Sequence, residues 1–141
     1  MIEPRVYLLD TNTVSQMMRE PAGRVTQQFA NVAALDLTQG MVISTVVLCE
    51  LQFGLLRKPN RRLSDSLERI LTGVEVLPLD IEVVSHYAQL RTHLEQNGTP
   101  IGPNDTFIAA HALALGATLV TADAEFARVP GLQIENWLQP L

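Results

Sequence analysis

The chain has 141 residues, of which 47% are apolar, and it carries a formal net charge of −5 at pH 7. This length fits one domain, spanning residues 1–141, and lets the folded chain bury about 70% of the surface that it exposes when unfolded. The acidic balance argues against a broadly basic surface that binds nucleic acid. No apolar run approaches the roughly 20 residues that span a bilayer, and the single cysteine, Cys49, cannot form an internal disulfide. We therefore expect a cytoplasmic protein with no membrane segment.

Short apolar runs alternate with longer amphipathic segments along the whole chain. In chain order this pattern predicts a strand at 6–9, helices at 12–20 and 22–35, a strand at 41–44, helices at 46–57 and 61–71, a strand at 74–79, a helix at 81–96, a turn-rich loop at 97–103, a helix at 104–115, a strand at 118–121 and a further strand at 132–135. The alternation is typical of an α/β fold with a mostly parallel sheet of about four to five strands, covered by helices on both faces.

Helical periodicity assigns an inward face to several of these segments. We expect Cys49 to lie in the core, because a free cysteine behaves as a small hydrophobe. The expected inward positions are Val25, Phe29, Val32 and Ala33 in segment 22–35, Leu63, Leu67, Ile70 and Leu71 in segment 61–71, and Val84, Tyr87, Leu90, Arg91 and Leu94 in segment 81–96.

Four acidic residues stand where the carboxyl ends of the strands would meet. Asp10 follows the first strand, and Glu50 lies about one and a half turns into the helix after the second strand. Asp105 is in the first turn of its helix, and Asp123 follows the fourth strand by two residues. Because parallel α/β sheets bind ligands beyond the carboxyl ends of their strands, we expect these four carboxylates to converge at one edge of the sheet.

Glu50 is the most informative of the four, because it interrupts an otherwise apolar helix. A carboxylate in that setting is costly unless a cation or hydrogen bonds satisfy it. No lysine or arginine stands three or four residues before or after Glu50, which excludes an ion pair within the helix. Two alternatives to a metal site stay open: an arginine from elsewhere in the chain, or a narrow exposed stripe of the helix.

The other three acids also have a plainer explanation as helix caps. Asp10 or Asn12 could cap the helix that follows, and Asp105 and Asp123 both stand where a helix would begin and where negative charge suits the helix dipole. Polar residues beside the acids could hold a water or a phosphate oxygen, or could serve only as caps and strand-end hydrogen bonds. These residues are Thr11, Asn12 and Thr121.

Gathered carboxylates repel one another and raise one another's pKa values. A hard divalent cation relieves this repulsion, and Mg²⁺ takes oxygen ligands while keeping several waters. A bound metal can activate water and stabilise charge on a phosphate during an in-line displacement. A pocket of four carboxylates therefore suits phosphodiester hydrolysis.

The histidines and the basic residues give weaker signals. The spacing of His86, His93 and His111 is unlike that of a zinc site, and we interpret them as ordinary helix residues. Five of the ten basic residues stand close together along the chain: Arg57, Lys58, Arg61, Arg62 and Arg69. A solvated helical hairpin explains this cluster as well as an RNA-binding groove does.

Several short motifs follow one another in a specific order. The blocks are Leu8-Leu9-Asp10-Thr11-Asn12; Ile43-Ser44 with Glu50-Leu51 and Gly54; Ile101-Gly102-Pro103-Asn104-Asp105 with Ile108-Ala109-Ala110-His111-Ala112; and Leu119-Val120-Thr121-Ala122-Asp123 with Phe126, Val129-Pro130-Gly131-Leu132 and Glu135-Asn136-Trp137. Each block alone is weak, but the ordered set from residue 8 to residue 137 resembles the PIN-domain ribonucleases, specifically the VapC toxins of bacterial toxin–antitoxin pairs.

The resemblance implies a three-layer α/β/α sandwich and an endoribonuclease that depends on Mg²⁺ or Mn²⁺. It carries the metal-site role onto Asp10, Glu50 and Asp105 as core ligands, and onto Asp123 less directly, because many relatives have Asn there. Thr121 matches a position whose hydroxyl often supports the site. Family members typically form homodimers and are neutralised by a VapB-like antitoxin in a hetero-oligomer.

Two other functions are alternatives to a ribonuclease. A haloacid-dehalogenase-type phosphatase would use a motif like the one that starts at Asp10, but Asn12 replaces its second acid and Lys58 is the only lysine. A non-catalytic PIN-like binding protein is the second alternative, and intact Asp10, Glu50 and Asp105 argue against it.

Overall fold

The computed structural model describes residues 5–35 and 38–138, of which 38 and 39 by their backbone alone. Eleven regular elements follow one another, with a 3-10 helix at Ala124–Arg128 before the last. They are β1 (Arg5–Leu9), α1 (Thr11–Arg19), α2 (Arg24–Ala33), β2 (Thr38–Ser44), α3 (Thr45–Arg57), α4 (Arg61–Leu71), β3 (Glu75–Leu77), α5 (Ile81–Gln96), α6 (Pro103–Leu115), β4 (Thr118–Val120) and β5 (Gln133–Glu135).

The five strands form one parallel sheet in the order β3-β2-β1-β4-β5. The expected α/β fold, with a parallel sheet of four to five strands and helices on both sides, is confirmed. The chain runs outward from β1 to β2 and β3 on one side, then crosses to β4 and β5 on the other. The order therefore reverses between β1 and β4, which is the position where open α/β sheets form a ligand crevice.

The sequence explains where these elements begin and end. Leu8 and Leu9 of β1 and Leu119 and Val120 of β4 are fully buried, as expected for the centre of a sheet covered on both faces. Side-chain caps start four of the six described α-helices, and their residues are Asp10 for α1, Ser44 for α3, Asn60 for α4 and Asp80 for α5. Gly116 ends α6 with φ 64°, a left-handed conformation that glycine adopts without strain.

Two of the expected elements are shorter in the structure than in the prediction. Strand β3 covers three residues rather than 74–79, because Pro78 has no N–H to donate to a ladder. Helix α2 begins at Arg24 and ends at Ala33, inside the expected segment 22–35.

Four expected core positions are wrong. Val84 is 59% exposed, and its neighbour Val83 is buried instead, together with the expected Leu90 and Leu94. Arg91 projects into solvent and pairs with Glu95 on the same helix. Cys49 and Ala33 are exposed as well. In α3, which is apolar all round, the sequence pattern alone does not reveal that Val47 and Leu51 are the buried residues.

Within the described residues, no helix has both the length and the apolar character that a membrane crossing requires.

Candidate active site

Asp10 lies at the carboxyl end of β1, at the reversal of strand order. Its backbone N–H donates to Val120 O of β4 at 3.0 Å. One carboxylate oxygen accepts the N–H of Thr11 at 2.8 Å, and the other accepts the hydroxyl of Thr121 at 2.8 Å. Asp10 therefore caps α1, as the plainer explanation held, while its carboxylate is 3% exposed between β1 and β4.

Thr121 joins Asp10 to Asp123. Its buried hydroxyl donates to Asp10 Oδ2 and accepts the backbone N–H of Asp123 at 3.0 Å. Asp123 in turn caps the 3-10 helix, because its Oδ1 accepts the N–H of Glu125 at 2.9 Å. The segment after β4 is thus tied to the end of β1 by two successive hydrogen bonds through one hydroxyl.

Glu50 reaches the same crevice from α3. Its Oε1 accepts the hydroxyl of Thr11 at 2.6 Å, and its Oε2 accepts the amide of Asn104 at a longer 3.4 Å. The one ion pair found between described residues is Arg91 with Glu95, so Glu50 is not locked to an arginine. The half-buried Glu50 carboxylate thus accepts hydrogen bonds from the neutral groups of Thr11 and Asn104, and no described lysine or arginine offsets its charge.

Asp105, Asp123 and Glu125 approach one another most closely. One carboxylate oxygen from each lies within 4.8 Å of the others, with Asp105 and Asp123 half-buried and Glu125 exposed. Asp10 and Glu50 lie outside this group of three. The sequence reasoning did not single out Glu125. Its position two residues after Asp123 is the available signal, and the expected helix start at Asp123 is present as the 3-10 helix that carries Glu125.

Burial and like charges raise two carboxyl pKa values in the crevice. The pKa of Asp105 is raised to about 6, first by burial and then by the charges of Asp10, Asp123, Glu50 and Glu125. Burial also raises the pKa of Asp10, against the hydrogen bonds from Thr121 and Thr11. All four expected acids therefore act on one another electrostatically, and Glu125 is a fifth.

The donor set fits a hard divalent cation. The crevice offers five carboxylates, whose oxygens are the type of ligand that Mg²⁺ prefers, and a cation would relieve the repulsion that adds to burial in raising the pKa of Asp105. In the described part of the chain, no lysine or arginine forms an ion pair with any of these acids. The arrangement is therefore suited to holding a metal ion in front of a phosphate.

The neighbouring polar residues take different positions. Thr11 and Thr121 contact the acids directly. Asn12 is exposed and lines a small cavity with Asn136 and Trp137. Thr13 and Asn104 were not singled out from the sequence, although the hydroxyl of Thr13 donates to Val120 O at 2.8 Å and so supports the end of β4.

The three histidines do not gather at the crevice. His86 and His93 are exposed on α5. His111 is buried in α6, its Nδ1 has no hydrogen-bond partner among the described residues, and burial lowers its pKa. This agrees with the interpretation of the histidines as ordinary helix residues.

Comparisons with known proteins identify a family and several relatives of this chain. The family model described as PIN domain matches residues 7–132. The chain is 38% identical over 135 residues to Ribonuclease VapC2 of Rickettsia felis, covering 94% of this chain and 98% of that protein. It is 36% identical over 134 residues to the tRNA(fMet)-specific endonuclease VapC of Salmonella typhimurium, covering 93% and 97% respectively.

Solved structures resemble the whole fold. The crystal structure of VapBC2 from Rickettsia felis bound to a DNA fragment from their promoter superposes with a TM-score of 0.86 at 34% identity, covering 94% of this chain and 98% of that chain. The structure of VapBC-1 from nontypeable Haemophilus influenzae gives a TM-score of 0.82 at 31% identity, covering 95% and 99%.

Proposed function

This chain belongs to the PIN-domain family, and from that premise we propose that it is a VapC-type endoribonuclease, the toxin of a toxin–antitoxin pair, that hydrolyses RNA phosphodiester bonds. The observation that carries the proposal is the meeting of Asp10, Glu50, Asp105 and Asp123 at the reversal of strand order, with no arginine or lysine paired to them in the described residues. The relatives named ribonuclease and endonuclease align with this chain over nearly their whole length, which supports the proposal.

We assign the metal-binding role to Asp10, Glu50 and Asp105, with Asp123 completing the site. Mg²⁺ is the proposed ion and Mn²⁺ the alternative; when bound, it would activate water and stabilise charge on the phosphate. Glu125 is a further candidate ligand, because its carboxylate lies near those of Asp105 and Asp123.

The chain's own residues hold these acids in place. Thr121 fixes Asp10 and the start of the 3-10 helix, which keeps the carboxylates of Asp10 and Asp123 on one side of the crevice. Thr11 fixes one oxygen of Glu50 and leaves the other held only by the long bond from Asn104. Free lone pairs on these oxygens therefore face the crevice and can bind a cation.

The proposed partners follow from the relatives. We propose RNA as substrate, a VapB-like antitoxin as inhibitor, and a homodimer that enters a toxin–antitoxin hetero-oligomer in the cytoplasm. The similar solved structures are described as VapBC complexes, which supports the antitoxin. We also propose that residues 1–141 form a single PIN domain; the family model covers 7–132 of them.

The comparisons give no support to the two alternatives. The relatives named above are a ribonuclease and an endonuclease rather than haloacid-dehalogenase-type phosphatases, and Asn12, which replaces that motif's second acid, is exposed and lines another cavity. A non-catalytic PIN-like protein would have no need of five carboxylates in one crevice, whose mutual repulsion is costly.

The test uses the purified chain, its Asp10→Asn variant and total RNA. We expect cleavage with Mg²⁺ that stops in EDTA and is lost in the variant, with products that carry a 5′-phosphate and a 3′-hydroxyl. Products ending in a 2′,3′-cyclic phosphate would contradict water as the nucleophile, and equal cleavage by Asp10→Asn would contradict the site. In cells, the toxin role would be established if expression of the chain is toxic and if co-expression of a small protein encoded next to it, the proposed VapB-like antitoxin, relieves that toxicity.

A further inference from the structure

One stripe of α3 leads out of the acid crevice. Glu50, Gly54 and Arg57 are spaced four and three residues apart, so they lie on one face of the helix, and Phe53 lies about 60° to the side of Glu50. Glu50 faces the crevice through its contacts with Thr11 and Asn104. Phe53 and Arg57 therefore stand one and two turns beyond the acids, along the same side of the helix.

Phe53 is unusual in its surroundings. Its side chain is 63% exposed, and it is the one aromatic residue in the exposed class across the described ranges 5–35 and 38–138. The guanidinium of Arg57 lies over its ring, 5.5 Å from the centroid. An exposed ring with an arginine stacked on it offers two flat surfaces on which a nucleobase can stack.

Gly54 leaves open space beside this pair. A Cβ built on Gly54 would meet no atom within 4 Å. Glycine inside a helix is less stable than alanine, and close packing does not explain it here, since a methyl group would fit. The missing side chain opens a notch between Glu50 and Arg57.

The charge around the pair suits a polyanion. The cluster of cations noted in the sequence continues from Arg57 across the turn between α3 and α4, and all its members are exposed: Arg57, Lys58, Arg61, Arg62 and Arg69. None of them forms an ion pair with another described residue. Arg57, Lys58, Arg61 and Arg62 flank the turn between α3 and α4, whereas Arg69 lies in the last turn of α4. In a chain with net charge −5, this turn carries a local excess of positive charge at the end of the helix that holds Glu50.

We propose that Phe53 and Arg57 form a stacking platform for a base of the RNA substrate that neighbours the cleaved bond, and that the cations of the α3–α4 turn guide the phosphate chain to it. The inference rests on the proposed ribonuclease function and specifies how single-stranded RNA is held at that site. Stacking on an aromatic side chain tolerates any base, so the platform contributes affinity and position rather than sequence choice.

A protein partner is the competing occupant of this helix. An apolar protein surface would seek the most exposed leucine, Leu56, which is 80% exposed and lies about 120° from Glu50, off the stripe. The position of Phe53 beside the acids, the arginine on its ring and the unpaired cations all favour nucleic acid instead. Leu56 is therefore a matched control on the same helix.

The binding test uses the full chain with Asp10→Asn, so that RNA is bound but not cleaved, and a labelled single-stranded RNA of mixed sequence of about 12 nucleotides. We expect Phe53→Ala to weaken binding about tenfold and Phe53→Trp to preserve it. Arg57→Ala is expected to weaken binding and to lower the slope of log affinity against log salt by about 0.7. Leu56→Ala and Arg91→Ala, which removes an exposed arginine on α5, serve as controls and should bind as the parent does.

A kinetic test in the active chain separates the platform from the chemistry. With Mg²⁺, we expect Phe53→Ala to raise KM with little change in kcat, because the acids are intact. The platform is overturned if Phe53→Ala and Leu56→Ala bind RNA equally well, whether both bind as the parent does or both bind more weakly. If the unsubstituted chain neither binds nor cleaves RNA, the proposed function fails; if it cleaves RNA and Phe53→Ala does so equally well, the platform alone fails.

Discussion

A single hydroxyl, that of Thr121, holds together parts of the crevice that are far apart in the chain. It donates to Asp10 across 111 residues of sequence and accepts the N–H of Asp123. Its donation to Oδ2 favours the charged form of Asp10 and lowers the pKa of a carboxyl that burial otherwise raises. At the scale of single residues, the crevice depends on this hydroxyl as well as on its acids.

Replacing Thr121 with valine should therefore harm both stability and cleavage. The change removes the bond to Asp10 and leaves the N–H of Asp123 without its acceptor, so we expect a loss of about 1–2 kcal/mol in the free energy of unfolding. Cleavage should fall at least tenfold. Urea unfolding and a cleavage assay measure the two effects. Thr121→Ser, which keeps the hydroxyl, is the control, and full activity in Thr121→Val would refute the role of this hydrogen bond.

Replacing Asp105 should raise the free energy of unfolding, whereas replacing Thr121 should lower it. Its pKa is raised to about 6 from 3.8, so between these pH values the folded chain holds more protons than the unfolded chain, and stability falls as the pH rises through this range. At pH 7 and without metal, Asp105→Asn should therefore raise the free energy of unfolding. Allowing for solvent at this half-buried site, we expect a gain of about 1 kcal/mol.

Urea unfolding in EDTA at pH 7 and at pH 4 checks this gain, which should shrink at pH 4, where the folded chain carries Asp105 protonated. Asp65→Asn, at an exposed acid of α4, is the matched control and should change little. An Asp105→Asn chain that is less stable than the parent at pH 7 would show that the ionised carboxylate is not a burden on the fold.

The elements show how far sequence reasoning reaches. The bounds of α4 and α5 coincide with the expected segments, because a side-chain cap marks each start. Gly116 likewise marked the end of α6. In α5 the expected inward residues Leu90 and Leu94 are buried, but Val84 was wrong, because Val83 and Val84 are adjacent and only packing in the folded chain decides between them.

Part of the candidate site could be predicted, because local sequence pattern was enough to reveal it. Glu50 stood out because a charge interrupts an apolar helix, and local pattern is enough to notice that. Its partner Asn104 is 54 residues away, a contact that no local pattern encodes. Glu125 was missed because exposed acids are common and the short 3-10 helix that carries it has no apolar periodicity.

Within α6, the buried His111 makes stability fall at acidic pH. Burial lowers its pKa from 6.5, so in acid the unfolded chain takes up a proton that the folded chain refuses, and stability is lost as the pH falls below about 6.5. We expect His111→Leu, which keeps an apolar group in this position, to lose less stability than the parent between pH 7 and pH 5. Unfolding midpoints at both pH values provide the measurement.

The control for this prediction is His86→Gln, on the exposed face of α5. That variant should follow the parent at both pH values. If His111→Leu shows the parent's full acid dependence, the buried imidazole is not its source, and Asp105 does not supply it either, since its raised pKa acts in the opposite direction.

For the whole molecule, the acids make folding responsive to divalent ions. Mg²⁺ at 100 times its Kd should stabilise the folded chain by about 2.7 kcal/mol, which corresponds to a rise in Tm of roughly 6–10 °C for this chain length. The gain should diminish below pH 6, where Asp105 takes up a proton that competes with the ion. Thermal unfolding with and without Mg²⁺ tests this, and a shift of equal size in Asp10→Asn would place the ion elsewhere.

The order of the strands also bears on how the chain is made. Because β1 lies between β2 and β4, Asp10 cannot form its hydrogen bond with Thr121, or lie beside Asp123, until these residues are translated more than a hundred residues later. A growing polypeptide on the ribosome thus carries three of the carboxylates without the segment that brings them together. Its capacity to damage the cell that synthesises it should arise only after residues 121–123 have left the ribosome, by which time an inhibitor can already be present.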